Sequence, residues 1–323
     1  MMDFANRRMW SMLGERGVFA MRMPEIAAEN EKLVVLTADL GMLSGLDRFR
    51  TMFPDRLINA GIAEQNMIGM AAGLAHEGYI PFVTTYATFV SMRSCEQIRH
   101  LCCYAGNPVR IIASGAGFAM GMSGNSHYTY EDLAVMRAIP GLTVLSPADG
   151  AEVYKMIDAL MDYPHPAYVR LTGVLNVPVV YKNDYDFKIG KAVPLDDDAG
   201  QDLTIFATGT LVAEAVKAAK KLREDGKSVH VVNIHTIKPF DAEAVARACR
   251  TSRNIVTVEE HSTIGGLGGA VAEAMAEAGN APKLLQIGMP SCFVHPGEYQ
   301  WLLEQHGLTA DGILAKIKEQ VSV

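Results

Sequence analysis

Cysteine is scarce in this 323-residue sequence, and the cysteines that are present form no recognisable framework. The five of them are odd in number and include no Cys-x-x-Cys pair, which argues against a disulfide-stapled protein and against a zinc site. Basic residues are outnumbered, 29 Lys and Arg against 36 Asp and Glu for a net charge of −7, and they form no long run. A chain without a basic stretch is a poor candidate for nucleic-acid binding.

Long hydrophobic runs are absent too. No segment approaches the ~18 uninterrupted apolar residues that a membrane span needs, and the five charged side chains among the first twenty residues are unlike a signal peptide. We therefore expect a cytoplasmic protein. Hydrophobic residues make up 49% of the chain, which is enough for well-packed cores. The length favours two domains, since one domain takes roughly 100–200 residues.

Short β-branched runs alternate with helix-length amphipathic segments along the chain. Runs such as LVVLT (33–37) and VRIIAS (109–114) are almost continuously hydrophobic, as is typical of parallel strands covered by helices on both faces. A stretch without helical periodicity interrupts the alternation and suits a linker. The pattern predicts an α/β fold of two domains, residues 1–175 and 195–323, each a mostly parallel sheet covered by helices, with residues 176–194 as the linker.

Polar and aromatic residues gather where predicted strands end. Glu64, in the segment Gly-Ile-Ala-Glu-Gln-Asn (61–66), follows one strand and opens a helix, and Tyr86 and Phe89 follow another. A glycine-rich, uncharged loop then ends in His127. Because ligands bind at the carboxyl ends of parallel strands, these groups are expected to face one crevice. Each group also has a structural explanation when it is considered alone. The glutamate could interact favourably with the helix dipole, the two aromatic residues could pack in the core, and the glycine-rich segment could be a surface loop.

Together these landmarks resemble the C-terminal half of transketolase. More broadly they are similar to the pyrimidine-binding and C-terminal domains of thiamine-diphosphate enzymes, including 1-deoxyxylulose-5-phosphate synthase and the β subunit of 2-oxoacid dehydrogenase E1. Each motif is weak alone, but the ordered set is specific. The matching segments are Ala38-Asp39-Leu40, GIAEQN (61–66), TYATF (85–89), the loop 115–127, SPADGAEV (146–153), VNIHTIKPFD (232–241) and VEEHSTIGGLGGAV (258–271).

The resemblance implies a thiamine-diphosphate cofactor and a role for each group that would surround it. A glutamate at the position of Glu64 hydrogen-bonds the aminopyrimidine ring, whose exocyclic nitrogen then takes the proton from the thiazolium C2. Such a glutamate has to share a proton with a weak base, which requires a dry, apolar environment. Tyr86 and Phe89 would pack on the pyrimidine with Met92 beside them. Asp39 resembles the aspartate near the cofactor at the dimer contact.

The same resemblance implies substrate contacts. His127 matches a histidine that closes over the reacting carbons, and Arg16 and Arg170 are candidates for a substrate phosphate because the planar guanidinium suits that group; an ion pair is the alternative for each. Ser123 stands where ordinary transketolases have an aspartate, and Gly115 where they often have a histidine. Both changes are expected to remove polar contacts and open space, which favours a non-standard donor such as the branched sugar apulose 4-phosphate.

A further absence concerns the metal. Transketolase-like enzymes anchor the diphosphate through Mg²⁺ held by a Gly-Asp-Gly motif and an asparagine some 25–30 residues later, and Gly-Asp-Gly occurs nowhere in this sequence. We therefore assign no metal ligand to this chain. The resemblance implies an N-terminal, diphosphate-binding subunit that supplies the Mg²⁺ ligands in an α2β2 assembly. The expected activity is transfer of a two-carbon ketol unit between sugar phosphates, with neither nucleic acid nor membrane as partner.

Other functions remain open at this stage. A subunit like 1-deoxyxylulose-5-phosphate synthase or E1 β would share the cofactor chemistry. A nucleotide-binding oxidoreductase is suggested by the glycines after residue 114, but that fingerprint has to open a helix at once, and here the loop runs on to His127. A non-catalytic subunit would be expected to lose Glu64 or the aromatics. In the second domain, the glycines of 265–269 could cradle a phosphate, but helix packing is the favoured interpretation.

Overall fold

The computed structural model describes residues 6–181, 183–197, 199–279 and 282–321. Within these residues the chain builds one sheet of seven strands and another of five, both covered by helices. The predicted α/β architecture of two mostly parallel sheets is confirmed. Residues 1–5 and 322–323, which the predicted domains include, lie outside the described residues.

The strands carry labels in chain order. They are β1 (Leu33–Thr37), β2 (Leu57–Asn59), β3 (Ile80–Tyr86), β4 (Arg110–Ser114), β5 (Thr143–Leu145), β6 (Ala167–Arg170), β7 (Val193–Pro194), β8 (Leu203–Ala207), β9 (Val229–Asn233), β10 (Thr236–Lys238), β11 (Asn254–Ser262) and β12 (Lys283–Met289). The first sheet has the order β10-β5-β6-β4-β3-β1-β2 and the second β12-β11-β8-β9-β7. Only the pairings of β10 and β7 are antiparallel among these described strands.

The helices cover both faces of each sheet. They are α1 (Arg7–Glu29), α2 (Asp47–Met52), α3 (Glu64–His76), α4 (Cys95–Gln97), α5 (Asp132–Ala138), α6 (Gly150–Met161), α7 (Leu211–Glu224), α8 (Ala242–Thr251), α9 (Leu267–Ala278), α10 (Tyr299–Gln305) and α11 (Ala310–Gln320). Two π-helical turns, Phe89–Arg93 and Ile98–Tyr104, flank α4, and a 3₁₀ turn covers Gly121–Ser126.

Burial of β1 shows why its sequence is continuously hydrophobic. Leu33 and Val35 pack in the core formed with α1 and α6, whereas Val34 and Leu36 pack in the core on the opposite face, with α3. Side chains alternate between the faces of a strand, so a strand covered on both sides needs apolar residues at every position.

Strand exchange ties the two domains together. β10, which comes from the second half of the chain, joins the first sheet beside β5, with Thr236 opposite Leu145. β7, at the end of the predicted linker, pairs with β9 of the second sheet. Buried Glu152 adds a polar junction, since it accepts hydrogen bonds from the hydroxyl of Tyr181 at 2.6 Å and from Asn233 Nδ2 at 3.0 Å. The domains therefore share a continuous interior.

Candidate active site

The turns after β1 and β2 are tied to each other at the carboxyl edge of the first sheet. Asn59 Oδ1 accepts the N–H groups of Asp39 and Gly61, each at 3.0 Å, and its Nδ2 donates to Asp39 Oδ1 at 2.9 Å. Asp39 has φ = 59°, and Gly61 has φ = 75°. This turn brings Glu64 to the first position of α3. The structure thus places Asp39 next to the turn that presents Glu64.

Glu64 is almost completely buried, with 4% of its surface exposed. Both oxygens of its carboxylate accept from Arg93 Nη1, at 3.1 and 3.2 Å. Arg93 ends the π-helical turn, and its side chain is half exposed. Gln65 Nε2 donates to the carbonyl of Arg93 at 3.0 Å and fixes that turn. The sequence analysis missed Arg93; its spacing of about one helical turn from Phe89 is the signal that could have found it.

An aromatic wall stands beside this ion pair. The rings of Tyr86 and Phe89 lie 5.8 Å apart, and the imidazole of His127 lies 5.3 Å from the Phe89 ring and 6.0 Å from the Tyr86 ring. The guanidinium carbon of Arg93 lies 4.2 Å from the centre of the Phe89 ring. The structure therefore brings the predicted residues Glu64, Tyr86, Phe89 and His127 into one neighbourhood, with Arg93 between them.

The loop 115–127 is more compact than its glycine content suggests. Gly115 has φ = +70°, and a Cβ there would lie about 3.0 Å from Met120 Cγ and 3.3 Å from Tyr86 Cδ1. The predicted open space beside Gly115 is thus wrong: the side chain of Met120 fills it. Ser123 is exposed, and its carbonyl accepts from the hydroxyl of Ser126 at 3.2 Å.

Apolar side chains remain exposed on the elements that carry the site. Ile62 is 78% exposed and Met92 40%, and both flank the Glu64–Arg93 pair. An open depression of about 510 Å³ lies there, lined by Ile62, Glu64 and Arg93 among others. Met42 and Met122, on the turn after β1 and on the loop, are exposed as well. Exposed apolar groups around a polar site are typical of a surface that another chain covers.

The two predicted phosphate-binding arginines differ in position. Arg170 is buried: its Nε donates to both carboxylate oxygens of Asp132 at 3.1 Å, and its Nη2 donates to the carbonyls of Thr129 and Glu260. An arginine with these internal bonds cannot reach a substrate phosphate, so the geometry corresponds to the ion-pair alternative. Arg16 is half-buried on α1, and its substrate role stays a prediction.

In the second domain, a carboxylate occupies the N-terminus of α9. Glu259 accepts from the N–H groups of Leu267 and Gly268 at 2.7 Å each. A Cβ on Gly266 would lie 2.1 Å from Glu259 Oε2, so the glycines admit this side chain. Burial raises the pKa of Glu259 to about 7. The glycine-rich stretch therefore serves internal packing, and its helix terminus is already filled by a group of the chain itself.

The residues present fit the pyrimidine end of thiamine diphosphate. Arg93 lays a flat, nitrogen-bearing group on the face of Phe89 and donates to Glu64, which are the two contacts that a protonated or amino-substituted pyrimidine would use. In the part of the chain that the structure describes, no three His, Cys, Asp or Glu side chains are grouped so as to hold a metal ion. None of the described helices is long and apolar enough to cross a membrane.

A parallel sheet with a buried carboxylate and an aromatic wall at its carboxyl edge, joined to a second α/β domain, is the arrangement that the resemblance to transketolase predicts. Comparison with protein families agrees. The family model described as "Transketolase, pyrimidine binding domain" matches residues 12–175, and the one described as "Transketolase, C-terminal domain" matches residues 190–313. The chain belongs to the transketolase family.

Several relatives are subunits by name. The chain is 40% identical to the 6-deoxy-6-sulfo-D-fructose transketolase subunit SqwH of Clostridium sp. (strain MSTE9), over 94% of this chain and 93% of that protein. It is 38% identical to an apulose-4-phosphate transketolase subunit of Phocaeicola vulgatus, over 94% and 96%. A solved structure, "Split gene transketolase, inactive beta4 tetramer", is 38% identical, has a TM-score of 0.84, and covers 95% of this chain and 97% of its own.

Proposed function

We propose that this chain is the pyrimidine-binding subunit of a thiamine-diphosphate-dependent transketolase, and that it transfers two-carbon ketol units between sugar phosphates in the cytoplasm. One observation carries the proposal: Glu64 is buried at the carboxyl edge of the first sheet, and Arg93 links it to Phe89, whose ring lies 5.3 Å from the imidazole of His127. The absence of Gly-Asp-Gly from the sequence and the exposed apolar side chains around the site support dependence on an N-terminal partner, in an α2β2 assembly. The names of the relatives support the same division into subunits.

In this assignment each residue has a defined task. Glu64 hydrogen-bonds the ring nitrogen of the pyrimidine, and Phe89 and Tyr86 pack against the ring and exclude water. Thiamine diphosphate, when bound, supplies the carbanion chemistry, and the partner supplies the ligands of its Mg²⁺. His127 Nδ1 lies 2.9 Å from the hydroxyl of Ser126, which orients the imidazole and leaves Nε2 to hold or move a proton at a substrate hydroxyl.

Arg93 has to move before a pyrimidine can bind. Its guanidinium covers the face of Phe89 and occupies both oxygens of Glu64, so a ring cannot take either contact while it stays there. The guanidinium is half exposed and can swing into solvent, whereas Glu64 is almost completely buried, so the arriving ring has to take over the hydrogen bond that the carboxylate loses. Arg93 therefore acts as a placeholder that keeps the buried carboxylate paired in the cofactor-free chain.

The donor sugar is proposed to be non-standard. Ser123 replaces a carboxylate with a short exposed hydroxyl, and Met120 places an apolar side chain beside Gly115. The two named relatives act, by their names, on apulose 4-phosphate and on 6-deoxy-6-sulfo-D-fructose.

The test is an assay of this chain reconstituted with its N-terminal partner. Four donors are compared: apulose 4-phosphate, 6-deoxy-6-sulfo-D-fructose, xylulose 5-phosphate and pyruvate. A preference for apulose 4-phosphate or the sulfosugar is expected. Preference for xylulose 5-phosphate overturns the donor proposal. Preference for pyruvate, with release of CO₂, replaces ketol transfer by the chemistry of 1-deoxyxylulose-5-phosphate synthase or E1.

A further inference from the structure

The loop that carries His127 is fastened to the second domain. We call residues 115–127 the site loop, and residues 290–298, between β12 and α10, the clasp segment. Asn125, in the site loop, donates from Nδ2 to the carbonyl of Val294 at 2.7 Å and accepts at Oδ1 from the Val294 N–H at 3.3 Å. One side chain of the site loop thereby pairs with both backbone polar groups of one clasp residue.

A second attachment holds the beginning of the site loop. Glu260 of β11 is buried, and its Oε1 accepts the N–H of Phe118 at 2.6 Å while its Oε2 accepts the hydroxyl of Tyr299 at 2.7 Å. Gly117 has φ = +66°, and a Cβ there would lie 2.0 Å from Glu260 Oε1. Only glycine allows the carboxylate of the second domain to approach the site loop this closely.

Two more glycines lie where the site loop touches the clasp segment, Gly121 because of the close contact and Gly124 because of its backbone conformation. A Cβ on Gly121 would lie 2.7 Å from the carbonyl oxygen of Gly297, and one on Gly124, which has φ = +67°, would lie 3.5 Å from Pro296 Cβ. The sequence analysis connected the glycines of the site loop only with enclosing a ligand. Two of them, Gly117 and Gly121, permit close contact with the second domain.

The site loop contains little regular secondary structure. Among the described residues it has the 3₁₀ turn Gly121–Ser126, which Gly124 interrupts with a non-helical conformation, and a single β-bridge between Gly117 and Thr129. Yet it holds the imidazole of His127 5.3 Å from the ring of Phe89. Ordering such a segment has an entropic cost that contacts outside it must offset.

We propose that the second domain serves the active site through this clasp, with Asn125 and Glu260 as positioning residues that hold His127 against Phe89. The catalytic consequence rests on the proposed function. A group that moves protons has to be held within a fraction of an ångström of its productive position, and small displacements cause large losses of rate.

The first test uses the free, full-length chain and no substrate. Asn125→Ala removes both bonds to Val294, and because Asn125 is exposed the change leaves no cavity. The matched control is Asn107→Ala, which removes a similar bond, Nδ2 to the carbonyl of Leu101 at 2.8 Å, elsewhere in the first domain. We expect hydrogen exchange across the site loop to rise on the order of tenfold in Asn125→Ala alone.

The position of His127 is read in the same samples from the NMR shift of its Cε1 proton. The neighbouring rings of Tyr86 and Phe89 displace that shift through their ring currents. We expect the shift in Asn125→Ala to move toward the value of an unstructured histidine and to stay unchanged in the control. Tyr130→Phe removes a hydroxyl that lies 3.1 Å from the carbonyl of Cys292, in the clasp segment, and 3.3 Å from Asn125 Oδ1, and we expect a smaller change in the same direction.

The second test uses the enzyme reconstituted with its partner. We expect Asn125→Ala to lower kcat about tenfold, the factor that one or two lost hydrogen bonds correspond to. The dissociation constant of thiamine diphosphate should change less than twofold, because Glu64 and Phe89 are not part of the clasp. A structural defect would lower kcat and raise the dissociation constant together, and Asn107→Ala should change neither.

The outcomes separate the two proposals. Unchanged exchange and an unchanged His127 shift in Asn125→Ala overturn the clasp. Raised exchange with a kcat equal to that of the control overturns the positioning role. If the unmodified reconstituted pair transfers no ketol unit, the proposed function fails, while the exchange and NMR measurements still decide whether the second domain holds His127 in place.

Discussion

Glu64 and Glu259 are both buried glutamates at the N-terminus of a helix, yet they have opposite fates. Glu259 uses both oxygens to accept the backbone N–H groups that open α9, and nothing can reach it. Glu64 opens α3, but its carboxylate faces a half-exposed arginine that can leave. A carboxylate whose partners all belong to the fold is structural, whereas one held by a removable side chain stays available to a ligand. The two glutamates differ in their hydrogen-bond partners, which are backbone N–H groups for Glu259 and the side chain of Arg93 for Glu64.

The largest expected effect comes from removing the available carboxylate. Glu64→Ala should lower turnover of the reconstituted enzyme by about a thousandfold, since proton transfer by a positioned group contributes roughly 10²–10⁴. The thermal unfolding temperature of the free chain should hardly change, because the orphaned Arg93 can turn to solvent. Enzyme assays and calorimetry measure the two quantities. Activity within a few-fold of the unmodified enzyme would falsify the role assigned to Glu64.

Removing the structural carboxylate, that of Glu259, should lower stability and leave cofactor binding unchanged, the reverse of the effects expected for Glu64→Ala. Glu259→Ala removes two charge-assisted hydrogen bonds and leaves two buried N–H groups of α9 without acceptors, which should lower the free energy of unfolding by about 3 kcal/mol. Denaturant titration of the free chain measures it. The fraction that remains folded should keep its affinity for thiamine diphosphate once assembled with the partner. A stable variant that loses cofactor binding would make Glu259 part of the site and erase the distinction.

The sequence predicted the strands and most of the residues around Glu64, but not the side-chain contacts that distinguish Glu64 from Glu259. The strand patterns at 33–37 and 203–207 coincide with β1 and β8, because a hydrophobic run between turns encodes a buried strand locally. The convergence of Glu64, Tyr86, Phe89 and His127 followed from their order along a parallel sheet and from the family resemblance.

What escaped the sequence depends on packing between distant segments. Arg93 reaches Glu64 from the end of a π-helical turn, and its spacing of one turn from Phe89 was the only sign of this contact in the sequence. Met120 fills the space beside Gly115 only because the loop folds back on itself. Arg170 resembled a phosphate ligand until its partner Asp132, 38 residues earlier, was seen to lie against it in the core.

A third buried glutamate, Glu15, should make the stability of the chain depend on pH. Burial raises the pKa of Glu15 to about 7, and its Oε2 accepts from Thr172 N and Oγ1 at 2.7 and 2.8 Å. Between about pH 4.5 and 7 the folded chain keeps a proton that the unfolded chain releases, so this group's stabilising contribution is complete at low pH and is lost as pH rises toward 7. Glu15→Gln should remove a slope of about 1 kcal/mol per pH unit in that interval.

Denaturant titrations of both proteins across pH 4–8 measure the difference in slope. Glu25→Gln, a glutamate at the surface of the same helix that pairs with Arg22, is the control and should leave the slope as it is. A pH profile for Glu15→Gln that runs parallel to that of the unmodified chain would mean that Glu15 is ionised in the fold and would contradict this prediction.

The smallest expected effect comes from removing Arg93, the side chain that we propose occupies the pyrimidine site in the cofactor-free chain. Arg93→Ala frees the carboxylate and the ring face that a pyrimidine needs, so the cofactor no longer has to displace the guanidinium from Glu64 and from Phe89, a net cost of about 1 kcal/mol once the pyrimidine has re-formed the hydrogen bond. The dissociation constant of thiamine diphosphate in the reconstituted enzyme should fall about fivefold. Added salt should narrow the difference in affinity between the variant and the unmodified protein, because it screens the ion pair in the unmodified protein.

Arg99→Ala changes an exposed arginine on the same segment and should leave the affinity unchanged. Weaker binding by Arg93→Ala would mean that the guanidinium holds the cofactor instead of standing in for it, and the contrast between an available and a sealed carboxylate would then rest on Glu64 alone.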